Sequence, residues 1–177
     1  LFAGLRSRVI ADNRRARETV AAAARRRGWP VTDAGGLAGE AGEVGARLGR
    51  WLRDEAPPGL HILGGETTVT LPENPGRGGR NSHLALAAAR ALEGAAGITL
   101  LAAGTDGRDG DSEAAGAWVD GETTGALRRV GHEPDALLAA ADSASGLAAI
   151  GHAVVTGPTG TNVADLVLAR KEPATGG

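Results

Sequence analysis

With 177 residues the chain can bury a core, and its length points to one domain or to a domain with a fragment of another. The absence of cysteine excludes a disulfide framework and thiolate metal sites and fits a cytoplasmic location. A formal charge of −2 gives no global attraction to nucleic acid or an anionic membrane, and no apolar run approaches the length of a membrane span. Hydrophobic content is 42% but aromatics are 2%, so Ala, Leu, Val and Ile must build the interior. Lys171 is the only lysine, a bias that reads as GC-rich coding and leaves function to explain only arginines in loops. The chain lacks methionine and begins at Leu1, from which a fragment of a longer protein is expected.

In chain order, residues 8–11 read as a short strand running into Asp12-Asn13, a good N-cap pair. Residues 14–27 have the Ala/Arg composition of a helix, which Gly28 closes, and 29–32 read as a second strand. Residues 39–55 fit a helix with Val44, Leu48, Trp51 and Leu52 on one face, and Pro57-Pro58-Gly59 breaks the chain. Strands are then expected at 60–63 and, from its β-branched residues, at 67–71. A helix over 81–92 follows, and the apolar run 98–103 reads as a central strand buried on both faces. Residues 114–119, 153–155 and 163–169 are further strands. Helices are expected over 122–130, 134–141 and 143–150, and 172–177 form a tail. This alternation predicts an α/β fold, a three-layer α/β/α arrangement with a mostly parallel mixed sheet.

Glycine-rich turns close the apolar runs, and ligands of open α/β sheets bind at such strand ends. Gly76-Arg77-Gly78-Gly79-Arg80-Asn81 before a helix can take an anion on free amides, with Arg80 adding a forked contact. The same residues also read as an ordinary glycine-rich connection with a solvated arginine. The frame from Gly76 breaks the dinucleotide fingerprint at Asn81, and no G-x-x-x-x-G-K-[ST] loop occurs. Asp106 and Asp109 in Gly104-Thr105-Asp106-Gly107-Arg108-Asp109-Gly110 can hold Mg²⁺, accept a proton or simply form turns. No late glutamate supports a calcium loop. Thr156-Gly157-Pro158-Thr159-Gly160-Thr161-Asn162 offers hydroxyls and amides for a phosphate or sugar-acid hydroxyl, or a structural turn. The four histidines lack helical metal-ligand spacing, and no G-x-S-x-G elbow marks a serine hydrolase. His83, beside the first loop, reads first as an exposed helix residue.

The phrases GGETTVTL, GRGGRN, LLAAGTDGRDG, AAGAWVDG and TGPTGTNVADL occur in one order and spacing. Together they resemble the MOFRL domain of the glycerate 2-kinases, a domain also found in proteins named hydroxypyruvate reductase. The resemblance covers residues 60–168 and implies a division into 1–59, the end of a preceding Rossmann-like domain, and 60–177, the MOFRL domain. It implies transfer of the ATP γ-phosphoryl group to the 2-hydroxyl of D-glycerate or a related hydroxy acid, with Mg²⁺, in a cleft between two domains. By motif it makes Arg80 and Asp106 catalytic. Substrate and phosphate contacts fall to Gly65, Glu66, Gly78, Gly79, Asn81, Thr105, Thr159, Thr161 and Asn162, and Asp109 is a metal candidate. The missing N-terminal domain is the expected partner, and a homodimer is compatible; nucleic acid and membrane are not expected partners. Because the family's catalytic lysine lies in that N-terminal domain, the isolated chain is expected to be inactive. An NAD(P)H-dependent hydroxypyruvate reductase and a non-catalytic ligand-binding domain are the alternatives. The sequence departs from the family at Ser82-His83, where Gln-Glu is frequent, and at 142–145, which lack the usual aromatics.

Overall fold

The computed structural model describes Gly4, Arg6 and residues 8–173; Leu1 and the end of the expected tail lie outside the described residues. Residues 8–12 form no strand. They lead instead into α1 (Asn13–Arg26), whose N-cap Asp12 accepts a hydrogen bond from the Arg15 amide at 2.8 Å. Arg25 and Arg26 sit in the last turn, where positive charge suits the helix dipole. Then come β1 (Val31–Leu37), α2 (Ala41–Asp54), β2 (Gly59–Gly65), α3 (Arg80–Leu92) and β3 (Ile98–Gly104). β4 (Gly116–Asp120), α4 (Thr123–Arg129), α5 (Pro134–Ala139), α6 (Ser143–Ala149), β5 (Ala153–Val154) and β6 (Asp165–Lys171) complete the order. No helix among the described residues is long and apolar enough to cross a membrane.

The six strands form one mixed sheet in the order β1-β2-β6-β3-β4-β5. The α/β class and the mixed sheet match expectation, but the balance of directions does not: only β1–β2 is a parallel pair, and every other pair is antiparallel. The cause lies in β6. β2 and β3 do run the same way, as a strand–helix–strand unit predicts, but the last strand inserts between them and runs opposite to both. The expected division after residue 59 runs through this sheet, since β1 pairs with β2 and α2 shares one core with α3 and the strands.

Alternation of side chains along the strands assigns the two faces. Leu60 and Ile62 pack with Ala21 and Ala24 of α1, while Leu63, Leu100, Ala102, Val167 and Ala169 meet α2 and α3 on the other side. Because α1 covers only the β1, β2 and β6 end, β3 is buried on one face alone: Thr99 is exposed and Leu101 and Ala103 are half-buried. Residues 67–71 form no strand either. β1 has already turned into α2 at Gly39, so their only ladder contact is a single bridge from Thr68 to Glu40. The Glu40 carboxylate accepts from the Thr70 amide at 3.0 Å and pins this segment to the start of α2.

Small residues set the spacing of the second layer. Gly45 and Gly49 of α2 lie against α3, where a Cβ on Gly45 would overlap the Leu84 carbonyl oxygen. Without that Cβ the backbones approach closely, and the alanines of α3 (Ala85, Ala88 and Ala89 are buried) complete a core almost free of aromatics.

Candidate functional site

The carboxyl ends of β2 and β3, the start of β6 and the first turn of α3 meet at one edge of the sheet. Arg80 opens α3 there. Its Nε donates to Asp165 Oδ2 at 2.6 Å and its Nη2 to Asp165 Oδ1 at 3.2 Å, a two-bond grip of the forked kind. Its Nη1 lies 2.6 Å from Glu66 Oε1, just beyond the end of β2. The two carboxylates differ in setting: the Asp165 side chain is 4% exposed and that of Glu66 62%. Hydrogen bonding to Asp165 is the main influence raising the Arg80 pKa, so the guanidinium is charged throughout the working range. Burial pushes the Asp165 carboxyl above the usual carboxylate range, with the bonds from Arg80 opposing it.

The other two loops are tied together beside this trio. Asp106 accepts from the Arg108 amide at 3.0 Å and from Asn162 Nδ2 at 3.2 Å. Thr105 Oγ1 donates to the Ala164 carbonyl at 2.7 Å and receives the Val163 amide at 2.8 Å. Thr159 Oγ1 reaches the Thr105 carbonyl at 2.6 Å, and the Thr161 amide closes the turn on Thr159 Oγ1 at 3.4 Å. Gly104 joins the halves: a Cβ there would stand 3.0 Å from Asp106 Oδ1 and 3.5 Å from Asp165 Oδ1. Glu66, Arg80, Asp106, Asn162, Thr105, Thr159 and Thr161 thus collect at one edge. Gly65 ends β2 with φ 149°, and a Cβ on it would overlap the Leu37 carbonyl oxygen, so only glycine fits there.

Three amides at the start of α3, those of Gly78, Asn81 and Ser82, are committed to internal carboxylates. Asp109 is 2% exposed and accepts from Asn81 N at 2.9 Å, Ser82 N at 2.8 Å and Ser82 Oγ at 2.6 Å. The Gly78 amide donates to Asp111 at 2.9 Å, and Gly79 packs so closely on Asp109 that a Cβ would overlap its carboxylate. An internal carboxylate therefore takes the Asn81 and Ser82 amides where an outside anion was expected, and Gly78 and Gly79 pack against the loop that carries it. With three donors on its two oxygens, Asp109 caps the first turn of α3 from outside the helix. Asp109→Ala is expected to cost at least about 2 kcal/mol in urea unfolding, because it strands buried donors as well as a cap. A rise in wild-type Tm with Mg²⁺ that the variant lacks would sink the capping role.

Sequence reasoning missed Asp165. Its signal was an acidic residue opening an apolar strand on the inward-facing set shared with Val167 and Ala169. It also missed Asn13, whose Nδ2 holds the Val163 and Asp165 carbonyls at 2.8 and 2.9 Å. A groove of about 530 Å³ lies away from this edge, between β1 and α2, lined by Leu37, Leu48, Trp51, Arg47, Arg50 and Glu55 among others but by none of the expected site residues. We place the site at the loop edge, where Arg80, Glu66, Asp106, Asn162 and three threonines converge from separate glycine-rich loops.

The Ser82-His83 departure has two local explanations. Ser82 caps with Asp109. His83 is half-buried between α2 and α6, with Nδ1 3.5 Å from Ser143 Oγ and its ring against Gly42. Burial lowers the His83 pKa, opposed by the charges of Glu40 and Asp109. The folded state thus prefers neutral imidazole, so this contribution is complete above the ordinary histidine value near 6.5 and is lost as pH falls through the lowered one. Stability should accordingly decline below about pH 6.5, by at most about 1.4 kcal/mol per pH unit per proton. His152 is lowered by burial too and acts in the same direction, so His83→Gln should reduce the slope of unfolding free energy against pH without abolishing it. An unchanged slope would remove His83 from that account.

The fold and this edge define an α/β protein that gathers charged and hydroxyl-bearing loops around a paired arginine at one end of a mixed sheet. The chain belongs to the MOFRL family, which it matches over residues 59–165. It is 50% identical over 111 residues to the D-glycerate 2-kinase of Thermotoga maritima, covering 63% of this chain and 26% of that protein. It is 37% identical over 171 residues to the glycerate 2-kinase of Pyrococcus horikoshii, covering 91% of this chain and 38% of that one. The crystal structure of glycerate kinase from Thermotoga maritima superimposes with a TM-score of 0.88 at 37% identity, covering 93% of this chain. The chain spans 41% of that solved protein's length.

Proposed function

We propose that this chain forms the C-terminal part of an ATP-dependent glycerate 2-kinase and supplies one wall of its active site. The observation that carries the reading is Arg80, a fixed cation at a loop-lined sheet edge, in a chain whose relatives carry the name glycerate kinase. In the reaction the 2-hydroxyl oxygen of D-glycerate forms a bond to the γ-phosphorus of ATP, the bond to the β,γ-bridging oxygen breaks, and the hydroxyl proton leaves. Such a transfer needs positioning and charge neutralisation above all. Arg80 binds the substrate carboxylate or the moving phosphoryl group. Asp106, half-buried beside Asn162, takes the hydroxyl proton or orients that hydroxyl, and Thr105, Thr159 and Thr161 hold the loop that carries Asn162. Mg²⁺ in such reactions is held by one or two carboxylates plus the phosphates; Asp106 is the carboxylate at this edge that fits that part, and the ion would neutralise phosphate charge. The second wall belongs to the N-terminal domain, in whose absence the chain is inactive, and the enzyme works in the cytoplasm.

The test is glycerate-dependent ADP formation by the two-domain protein, with NAD(P)H oxidation by hydroxypyruvate measured in parallel. ADP release without NAD(P)H oxidation supports the kinase. Oxidation without ADP release overturns it in favour of the reductase.

A further inference from the structure

We propose that Asp165 is the positioning residue for Arg80, and that Glu66 is the displaceable one of the arginine's two carboxylate partners. The inference rests on the reading of Arg80 as an anion contact and adds how the arginine is aimed and kept ready. A guanidinium has two edges. Asp165 takes the Nε/Nη2 edge with two bonds, leaving Nη1 directed at the sheet edge, where Glu66 meets it.

The anchoring carboxylate is itself fixed. Asp165 begins β6 between β2 and β3, its carbonyl receives Asn13 Nδ2 at 2.9 Å, and the preceding Ala164 holds φ 63°. An alanine in that left-handed region persists only where its surroundings impose it. Here the Thr105 side chain and amide both bond the Ala164 carbonyl, and Asn162 Oδ1 accepts its amide. The same loops that carry Asp106 and Asn162 therefore hold the residue that aims Arg80. Glu66 has no comparable support; it hangs from the loop after β2 with most of its side chain in water. An exposed pair of this kind is worth little, so an incoming carboxylate or phosphate competes with Glu66 at small cost. It does not compete with Asp165, which is buried and holds the guanidinium with two bonds. In the absence of an anion Glu66 neutralises the outward edge; when one binds, it swings away.

The experiment uses nitrogen-15 NMR of the guanidinium Nε–H groups of the two-domain protein, with inorganic phosphate and 2-phosphoglycerate as the probes. The Arg80 Nε–H should exchange at least about tenfold more slowly than that of exposed Arg108. It should persist in Glu66→Gln and be lost in Asp165→Asn. Glu66→Gln should bind 2-phosphoglycerate about threefold more tightly, and Asp165→Asn about tenfold more weakly. In an Arg80→Ala background, Asp165→Asn should have no further effect on binding, because a residue acting through Arg80 has nothing left to position. A preserved Arg80 signal in Asp165→Asn, or equal weakening in both backgrounds, overturns the positioning role. Should Asp165→Asn fail to fold, fast exchange of Arg80 in the wild type is the overturning result. Weaker binding in Glu66→Gln overturns the displaceable role. Absence of binding by the wild-type two-domain protein with an intact Arg80 signal overturns Arg80 as the anion contact, while the anchoring still stands or falls on the NMR comparison.

Discussion

Arg80→Ala in the two-domain enzyme should lower kcat/KM for glycerate by roughly 2–4 kcal/mol of transition-state stabilisation, the scale of removing one preorganised charge contact. The loss has two sources that can be separated. One is the missing cation at the outward edge. The other is Asp165, left buried without its partner, and because Arg80 itself reaches solvent this stability penalty is held to roughly 1–3 kcal/mol. Urea unfolding reads the second source and steady-state kinetics the first. Arg80→Lys keeps the charge but cannot span both oxygens of Asp165 while facing outward, so it should recover stability more fully than activity. Near-normal kcat/KM in a folded Arg80→Ala enzyme would remove this arginine from the site.

Two glycine substitutions should move stability in opposite directions. Gly45→Val forces a branched side chain into the Leu84 carbonyl oxygen and the Ala87 methyl, and neither is the far end of a flexible chain. Separation of α2 from α3 would be required, and the expected loss is about 3 kcal/mol or more, at the upper end for overpacking. Gly125, in α4, meets only the tip of Arg129 at 3.5 Å. Gly125→Ala should therefore gain up to about 1 kcal/mol from helix propensity alone. Thermal and urea unfolding of the pair check both signs, and equal effects would show that the contact between α2 and α3 does not set the spacing of the layer.

The elements themselves were largely legible. The glycines before Arg80, the Ala/Leu run behind it and the β-type run at 98–103 each carry a local signal, and α3 and β3 lie where those signals put them. What the sequence does not carry is the partner of each strand. Nothing local distinguishes a last strand added at an edge from one inserted in the middle, so β6 was legible as a strand while its place and direction were not. The Thr-Val-Thr run at 67–71 shows the converse: β propensity was present, but the only nearby strand had already ended. At the site, the gathering of Glu66, Arg80, Asp106 and Asn162 followed from the motif phrases. The division of labour among aspartates did not. Asp106, Asp109 and Asp165 are one residue type beside a glycine or alanine, and only burial and partners separate the loop carboxylate, the helix cap and the arginine anchor.

The placing of β6 also bears on how the molecule is made. Among the six strands, the one that joins β2 to β3 comes last in chain order, and a chain that stops short of it has no ladder between the β1–β2 pair and the β3–β4–β5 sheet. Each piece then shows an unpaired edge, the kind of surface on which chains pair wrongly. A premature stop or a cleavage before residue 165 would leave two open halves and an Arg80 with no Asp165 behind it, rather than a slightly shorter domain. The arginine at the sheet edge owes its anchor, and the sheet its continuity, to the same strand.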